Sequence, residues 1–317
     1  MLDKELVSLL LREDVALGLS TEGYSVPQWR SEIFTNLGRY STWLDKAMAG
    51  GFLSDRLAYV FLSGYQAALH AKFPMLNSDK IAAFCVSEQG GNRPKAIQTS
   101  MQGEGDGYKL DGSKTFVTCA EDADELLVAA CDLSKSMTRP HIKILHLGGA
   151  IKGARIEEDK VLPFMPELKR GRLTLDGCIC PASSLLEGDG YADYIKPFSP
   201  LEALYVMAAG VSYMLRLARL YAWPESFIEQ SFAVLVSIQG ANFSDPEAIE
   251  NQIFISGLKE QVKALVVLTE HADYWADSDP EVHKRWLRDK VMLMMPDRAH
   301  GVRLERAWQS LRQVPVA

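Results

Sequence analysis

No uninterrupted run of about twenty apolar residues interrupts this chain, and that is the length a helix needs to cross a membrane, so no membrane partner is expected. A basic excess is missing too. Lys and Arg number 34 against 41 Asp and Glu, for a formal net charge of −7, and the cations are scattered rather than gathered into a stripe. A nucleic-acid partner is therefore not expected. Cysteine is sparse: five residues, Cys85, Cys119, Cys131, Cys178 and Cys180, an odd number without CxxC spacing. That pattern argues against a disulfide framework and fits free thiols in a reducing compartment. The six histidines are dispersed without ligand spacing, and two sulfurs alone make a poor zinc site, so no metal is expected. The opening stretch "MLDKELVSLLLRED" has acids on both flanks of a short amphipathic helix, unlike a signal peptide, which makes the cytoplasm the expected compartment.

What remains is an ordinary globular composition, 47% hydrophobic and 24% charged, with no internal repeat and no low-complexity tract. The apolar period changes twice along it. Residues 1–80 read as helical, with Leu57, Val60, Phe61, Gly64, Tyr65 and Ala68 on one stripe and Ser54 placed as an N-cap. Residues 81–187 read as short β runs broken by glycine, among them "GYKLDGSKTFVT" and "RGRLTLDGCICP". Asp111-Gly112 and Asp176-Gly177 are turn signals there, the first the better hairpin candidate. Cys178 and Cys180, two apart on one strand, should share a face. Residues 188–317 return to the helical period, with one stripe through Leu201, Leu204, Tyr205, Ala208, Val211 and Leu215, and another through Val262, Leu265, Val266 and Thr269. Asp245-Pro246 and Asp279-Pro280 look like helix starts, and "WPESFIEQ" like an interruption between helices. The expected fold class is α+β multidomain: an N-terminal helical segment, a central antiparallel β-barrel-like domain and a C-terminal helical bundle.

The stretch "FCVSEQGGNRPKAIQTSMQGEGDGYKLDGSKTFVTCAEDADELLVAA" (84–130) resembles the middle domain of the acyl-CoA dehydrogenase family. The shared features are an aromatic-small-aliphatic-hydroxyl-Glu run (Phe84 to Glu88), a glycine turn (Gly90-Gly91), a Gly-Tyr hairpin (Gly107-Tyr108) and a Lys-aromatic-aliphatic-Thr strand (Lys114 to Thr118). "RGRLTLDGCICPASSLLEGDGY" is similar to that family's last strand and its exit into the C-terminal helices. The resemblance implies FAD as cofactor, an acyl-CoA or other acyl thioester as substrate, an electron-transfer flavoprotein as a partner, and a homo- or hetero-oligomer. It implies flavin contacts from Phe84, Val86, Ser87, Phe116, Val117 and Thr118, and a ligand contact from Asn92, which stands with Arg93 where the family has a serine-aspartate step. The chemistry is sound without the family, because hydroxyl and backbone N–H groups on a rigid strand can stabilise a flavin ring as it takes up hydride.

In such a reaction a carboxylate takes the α-proton while the β-hydride passes to the flavin. "RWLRD" (285–289) is similar to the family's Leu-x-Arg-Asp step, and the eighth residue after Asp289 is Asp297, the column where many members carry a glutamate base. Two readings stand there. Asp297 is a shortened base, or Asp297 and Arg298 cap a solvated turn after Pro296. Two alternatives to the dehydrogenase also stand: a catalytically degenerate partner subunit of a heteromeric enzyme, and a flavin-dependent monooxygenase on the same scaffold.

Overall fold

A computed structural model describes residues 2–12, 20–135, 140–149, 151–159, 161–241, 248–295 and 298–313. Helix α1 (Lys4–Leu11) starts at Asp3, whose carboxylate accepts the Glu5 N–H at 2.8 Å. Its free end is closed from far along the chain. Arg219 donates to the Leu9 and Leu10 carbonyls at 3.0 and 2.8 Å, supplying partners that a helix C-terminus otherwise lacks. A short turn α2 (Val26–Trp29) leads into α3 (Trp43–Leu53) and α4 (Leu57–Lys72). Ser54 does not cap α4. Its N–H and hydroxyl both donate back to the Gly50 carbonyl, at 3.1 and 2.7 Å, so it ends α3, and Arg56 holds the cap position of α4.

Among the described residues seven strands follow: β1 (Ala82–Cys85), β2 (Ser100–Glu104), β3 (Gly107–Thr118), β4 (Glu125–Asp132), β5 (Ile142–Gly148), β6 (Ala154–Glu158) and β7 (Arg170–Pro181). They form one curled sheet in the order β1-β4-β2-β3-β7-β6, with β5 also on β4. Four pairings are antiparallel, as expected, but β4 takes both β1 and β2 in parallel. The β2–β3 hairpin lies between β1 and β4 in the chain and supplies the long connection that their parallel pairing requires. The hairpin turn is Gly105-Asp106, since Glu104 faces Gly107. Asp111-Gly112 lies instead inside β3, at a register shift where the Asp111 carboxylate accepts the Gly177 N–H at 2.7 Å. Both Asp-Gly pairs therefore meet across one β-bulge rather than making turns. Cys178 and Cys180 do share a face, and both are buried.

The C-terminal part comprises α5 (Lys196–Leu220), α6 (Glu225–Gln239), α7 (Ile249–Leu268), α8 (Pro280–Asp289), the single turn α9 (Val291–Met294) and α10 (Arg298–Gln313). Asp279 caps α8 by accepting the Glu281 N–H at 2.9 Å. Asp245-Pro246 lies outside the described residues. The break near "WPESFIEQ" is confined to Tyr221–Pro224, after which Glu225 opens α6. By length and composition α5, with the turn before it, is apolar enough to cross a membrane, despite its broken apolar run, but 78% of the apolar window is buried inside the protein. It packs on α3 and α4 where glycines permit close approach. A Cβ on Gly51 would lie 2.2 Å from the Ala209 carbonyl oxygen, and one on Gly64 2.6 Å from the Val206 Cα.

Two cores result. One lies within the curl of the sheet, around Leu110, Val117, Val128, Leu145, Leu173 and Cys178. The larger one joins the N- and C-terminal helices and takes in the outer faces of β4 and β5 through Leu127, Ala129, Ile142 and Ile144. Strand β4 is buried on both faces, which is why "ELLVAAC" reads as a continuous apolar run rather than an alternation.

Candidate active site

Between the sheet and the helices lies a cavity of about 580 Å³. Strand β3 contributes Phe116 and Thr118, β7 contributes Arg170, and α5 contributes Ser199, Glu202 and Val206. Phe61 of α4, the Phe164-Met165 loop and Met292 complete its apolar wall. The cavity thus sits where the helical core meets the sheet, a usual place for a ligand site.

A second register shift in β3, between Lys114 and Val117, shapes the sheet side of the cavity. Lys114 pairs with Leu173 and Val117 with Gly171, while the Thr115 N–H turns to the Ser87 carbonyl at 2.8 Å. Phe116 is left in the left-handed region at φ +56°, an outlier for a bulky side chain, and its ring is 63% exposed. Because of the bulge, Phe116 and Thr118 both look out toward the cavity while Val117 between them enters the sheet core.

Behind the bulge lies a buried ion pair. Lys114, with no exposed surface, places Nζ 2.7 Å from Glu88 Oε1 and 3.4 Å from the Val86 carbonyl. Glu88 also accepts the Thr99 N–H at 3.0 Å, the Thr99 hydroxyl at 2.8 Å and the Gln98 N–H at 2.8 Å. Burial alone would raise the Glu88 pKa, but the Lys114 hydrogen bond and these donors outweigh it and hold the carboxyl below its ordinary value. The same burial lowers the Lys114 ammonium. The Glu and Lys of the sequence motif thus tie β1's continuation to β3.

The residues singled out from sequence separate into groups. Phe116 and Thr118 line the cavity. Ser87 is half-buried on the adjoining segment and presents its carbonyl to Thr115, but it does not border the cavity. Val86 and Val117 are buried in the two cores. Phe84 packs edge-on against Phe73 and Phe198, with ring centroids 5.2 Å from each. Asn92 is exposed and borders neither this cavity nor a smaller hollow of about 300 Å³ edged by Glu88, Gln98, Ser113 and Arg172. Asp297 lies outside the described residues. Sequence reasoning missed Arg170 and Glu202. A signal existed for the second, since Glu202 is the only acid in the 25 residues of α5.

Arg170 directly opposes Thr118 in the β3–β7 pairing, so the two side chains leave the same face of the sheet. Burial lowers the guanidinium's pKa, with Glu202 and Tyr65 acting in the opposite sense.

No family model matches the sequence. A 3-(aryl)acrylate reductase of Clostridium sporogenes is 42% identical over 64 residues, 20% of this chain and 17% of that protein. A benzylmalonyl-CoA dehydrogenase of Aromatoleum aromaticum is 28% identical over 144 residues, 44% of this chain and 37% of that protein. The matched stretches thus span well under half of either relative. The solved structures align end to end. An FAD-dependent dehydrogenase superposes with TM-score 0.71 at 16% identity, covering 99% of both chains. A prolyl acyl carrier protein oxidase gives 0.67 at 17% identity over 97% of both. Butyryl-CoA dehydrogenase of Megasphaera elsdenii gives 0.65 at 17% identity, covering 99% of this chain and 91% of that one. Over nearly its whole length, the chain has the acyl-CoA dehydrogenase-like fold.

Proposed function

We propose that the protein is an FAD-dependent oxidoreductase of acyl-CoA dehydrogenase type, acting on an acyl thioester by α-proton abstraction and β-hydride transfer. The observation that carries this reading is the cavity between sheet and helices, with Phe116 and Thr118 on one wall and the Glu202 carboxylate on another. The fit to a flavin rests on the bulge, which turns an aromatic ring and a hydroxyl from one strand into a mostly apolar space. When bound, FAD supplies the hydride acceptor. Thr118 would offer the bound flavin a hydroxyl hydrogen bond, Phe116 would pack against it, and the Phe, Met and Val side chains would exclude water. Glu202 accepts the α-proton. The names of the two partial relatives are in keeping with an acyl substrate. An electron-transfer flavoprotein as acceptor, a cytoplasmic location and an oligomeric state complete the proposal.

The test compares Glu202→Gln and Asp297→Asn, because spacing along the chain singles out Asp297 as a second carboxylate. Loss of a positioned base costs about 10²–10⁴-fold. Anaerobic bleaching of the bound flavin by a panel of acyl-CoAs should slow by that much in Glu202→Gln and little in Asp297→Asn. Wild-type bleaching in Glu202→Gln would remove Glu202 from the role, and a colourless purified protein would reject the flavin.

A further inference from the structure

Arg170 differs from two other arginines near the site, the buried Arg56 and the partly exposed Arg288. Arg56 pairs with Asp55 at 3.0 Å and approaches Glu167 at 3.5 Å, and Arg288 pairs with Asp289 at 2.7 Å. Among the described residues the Arg170 guanidinium makes no hydrogen bond or ion pair, and its Nε is fully buried without a partner. Its backbone is fixed nonetheless. Arg170 faces Thr118 across the ladder, and its carbonyl accepts the Asp159 N–H at 2.8 Å. The fork is therefore carried on a rigid strand, next to the threonine of the site, and borders a cavity whose other walls are Phe, Met, Ala and Val together with Ser199 and the Glu202 carboxylate, which acts on Arg170 through its charge without a direct hydrogen bond or ion pair. A guanidinium whose Nε is buried without a partner carries a desolvation cost, and that cost is recovered when a planar anion accepts two parallel N–H bonds from the fork.

We infer that Arg170 is a substrate anchor, and that the cavity takes an acyl thioester carrying a second anionic group, a carboxylate on the acyl chain. The inference rests on the acyl-thioester reading above and narrows its substrate class. A carboxylate there would be bound bidentately, with the acyl carbons laid along the apolar wall and the α-carbon presented to Glu202 on α5. Neutral acyl chains of the same length would leave the buried Nε of Arg170 unpaired, so the site discriminates against them.

The experiment uses the full-length protein and a series of ω-carboxyacyl-CoAs (succinyl, glutaryl, adipyl), each against the uncharged acyl-CoA of equal chain length. Calorimetry measures binding, and anaerobic flavin bleaching measures turnover separately. Wild type should prefer the carboxylated member of at least one pair by on the order of a hundredfold, as expected for a buried charge pair. Arg170→Met should abolish that preference, and Arg170→Lys should keep part of it, since an ammonium retains the charge without the fork. Equal affinities in wild type, or equal losses for both ligand classes in Arg170→Met, would overturn the anchor. A changed flavin potential with the preference intact would assign Arg170 to the cofactor instead and also overturn it. If no acyl-CoA bleaches the flavin, the dehydrogenase reading fails, and the calorimetric preference alone decides whether Arg170 binds a carboxylate.

Discussion

Lys114→Met removes one half of the Lys114–Glu88 pair without changing the length of the buried side chain much. Glu88 keeps three donors, from Thr99 N, Thr99 Oγ1 and Gln98 N, but loses the Lys114 ammonium at 2.7 Å while its side chain remains 9% exposed. Breaking a buried pair this way costs about 3–5 kcal/mol. For a chain of this size that corresponds to roughly 6–10 °C in Tm, taking about 2 °C per kcal/mol. The double variant Lys114→Met/Glu88→Gln removes both charges and should recover at least half of the loss. Thermal and urea unfolding followed by circular dichroism measure both. The pH dependence has a fixed sign: the Glu88 pKa is held below its ordinary value in the folded protein, so the pair's contribution is complete above the unfolded carboxylate pKa of about 4.3. It is lost as pH falls through the lower folded value. The gap between wild type and Lys114→Met should therefore narrow below about pH 4.3. A Lys114→Met protein within about 1 kcal/mol of wild type at pH 7 would refute the reasoning, because that is the range of a solvent-exposed pair.

Two further outcomes follow from the bulge. Thr118→Val should lower flavin retention or shift the bound flavin's absorbance, while Ser87→Ala, which does not alter the cavity wall, should do neither; unchanged flavin occupancy in Thr118→Val removes that hydroxyl from the site. Phe116→Gly should raise Tm or leave it unchanged, because glycine adopts φ +56° without the penalty of about 1–3 kcal/mol, and it should weaken flavin binding at the same time. A large loss of stability in Phe116→Gly would mean the ring, not the backbone, holds the bulge together.

The change of apolar period from 3.6 to 2 and back was legible along the chain, because each side chain's burial in these elements is set locally by which face meets a core. The strand carrying Phe116 and Thr118 was legible for the same reason. Arg170 and Glu202 were not, since they lie 32 positions apart on a strand and a helix, and only the docking of α5 against the sheet makes them neighbours of one space. Asp111-Gly112 misled because its turn chemistry is equally suited to a bulge: Gly112 sits at φ +151°, and a Cβ there would lie 2.6 Å from the Thr99 Cα. Ser54 misled because a serine hydroxyl caps forward or bonds backward with the same groups, and the chain chose the Gly50 carbonyl behind it.

The stretch "RWLRD" served in the sequence as a landmark for counting to Asp297, and the structure gives it work of its own. Four non-glycine residues have positive φ among those described: Phe116, Cys119, Met165 and Ala222. Two of them, Phe116 and Met165, line the cavity, and Cys119 follows Thr118 directly. Such conformations persist only where neighbours over-determine them. For Met165, at φ +48°, the determining contact is its N–H donated to Asp289 Oδ1 at 2.8 Å. Asp289 is 1% exposed and is itself gripped by two Arg288 bonds of 2.7 Å each, while Arg288 Nη2 also stands 3.7 Å from Glu167, two residues beyond Met165. Helix α8 therefore holds the Phe164-Met165 wall from behind, as the pairing of Thr115 with Ser87 holds Phe116 from the other side. The strain is concentrated on the residues that give the cavity its outline, and the buried polar groups that sustain it lie one layer further out, which fits a site whose shape is set before any ligand arrives.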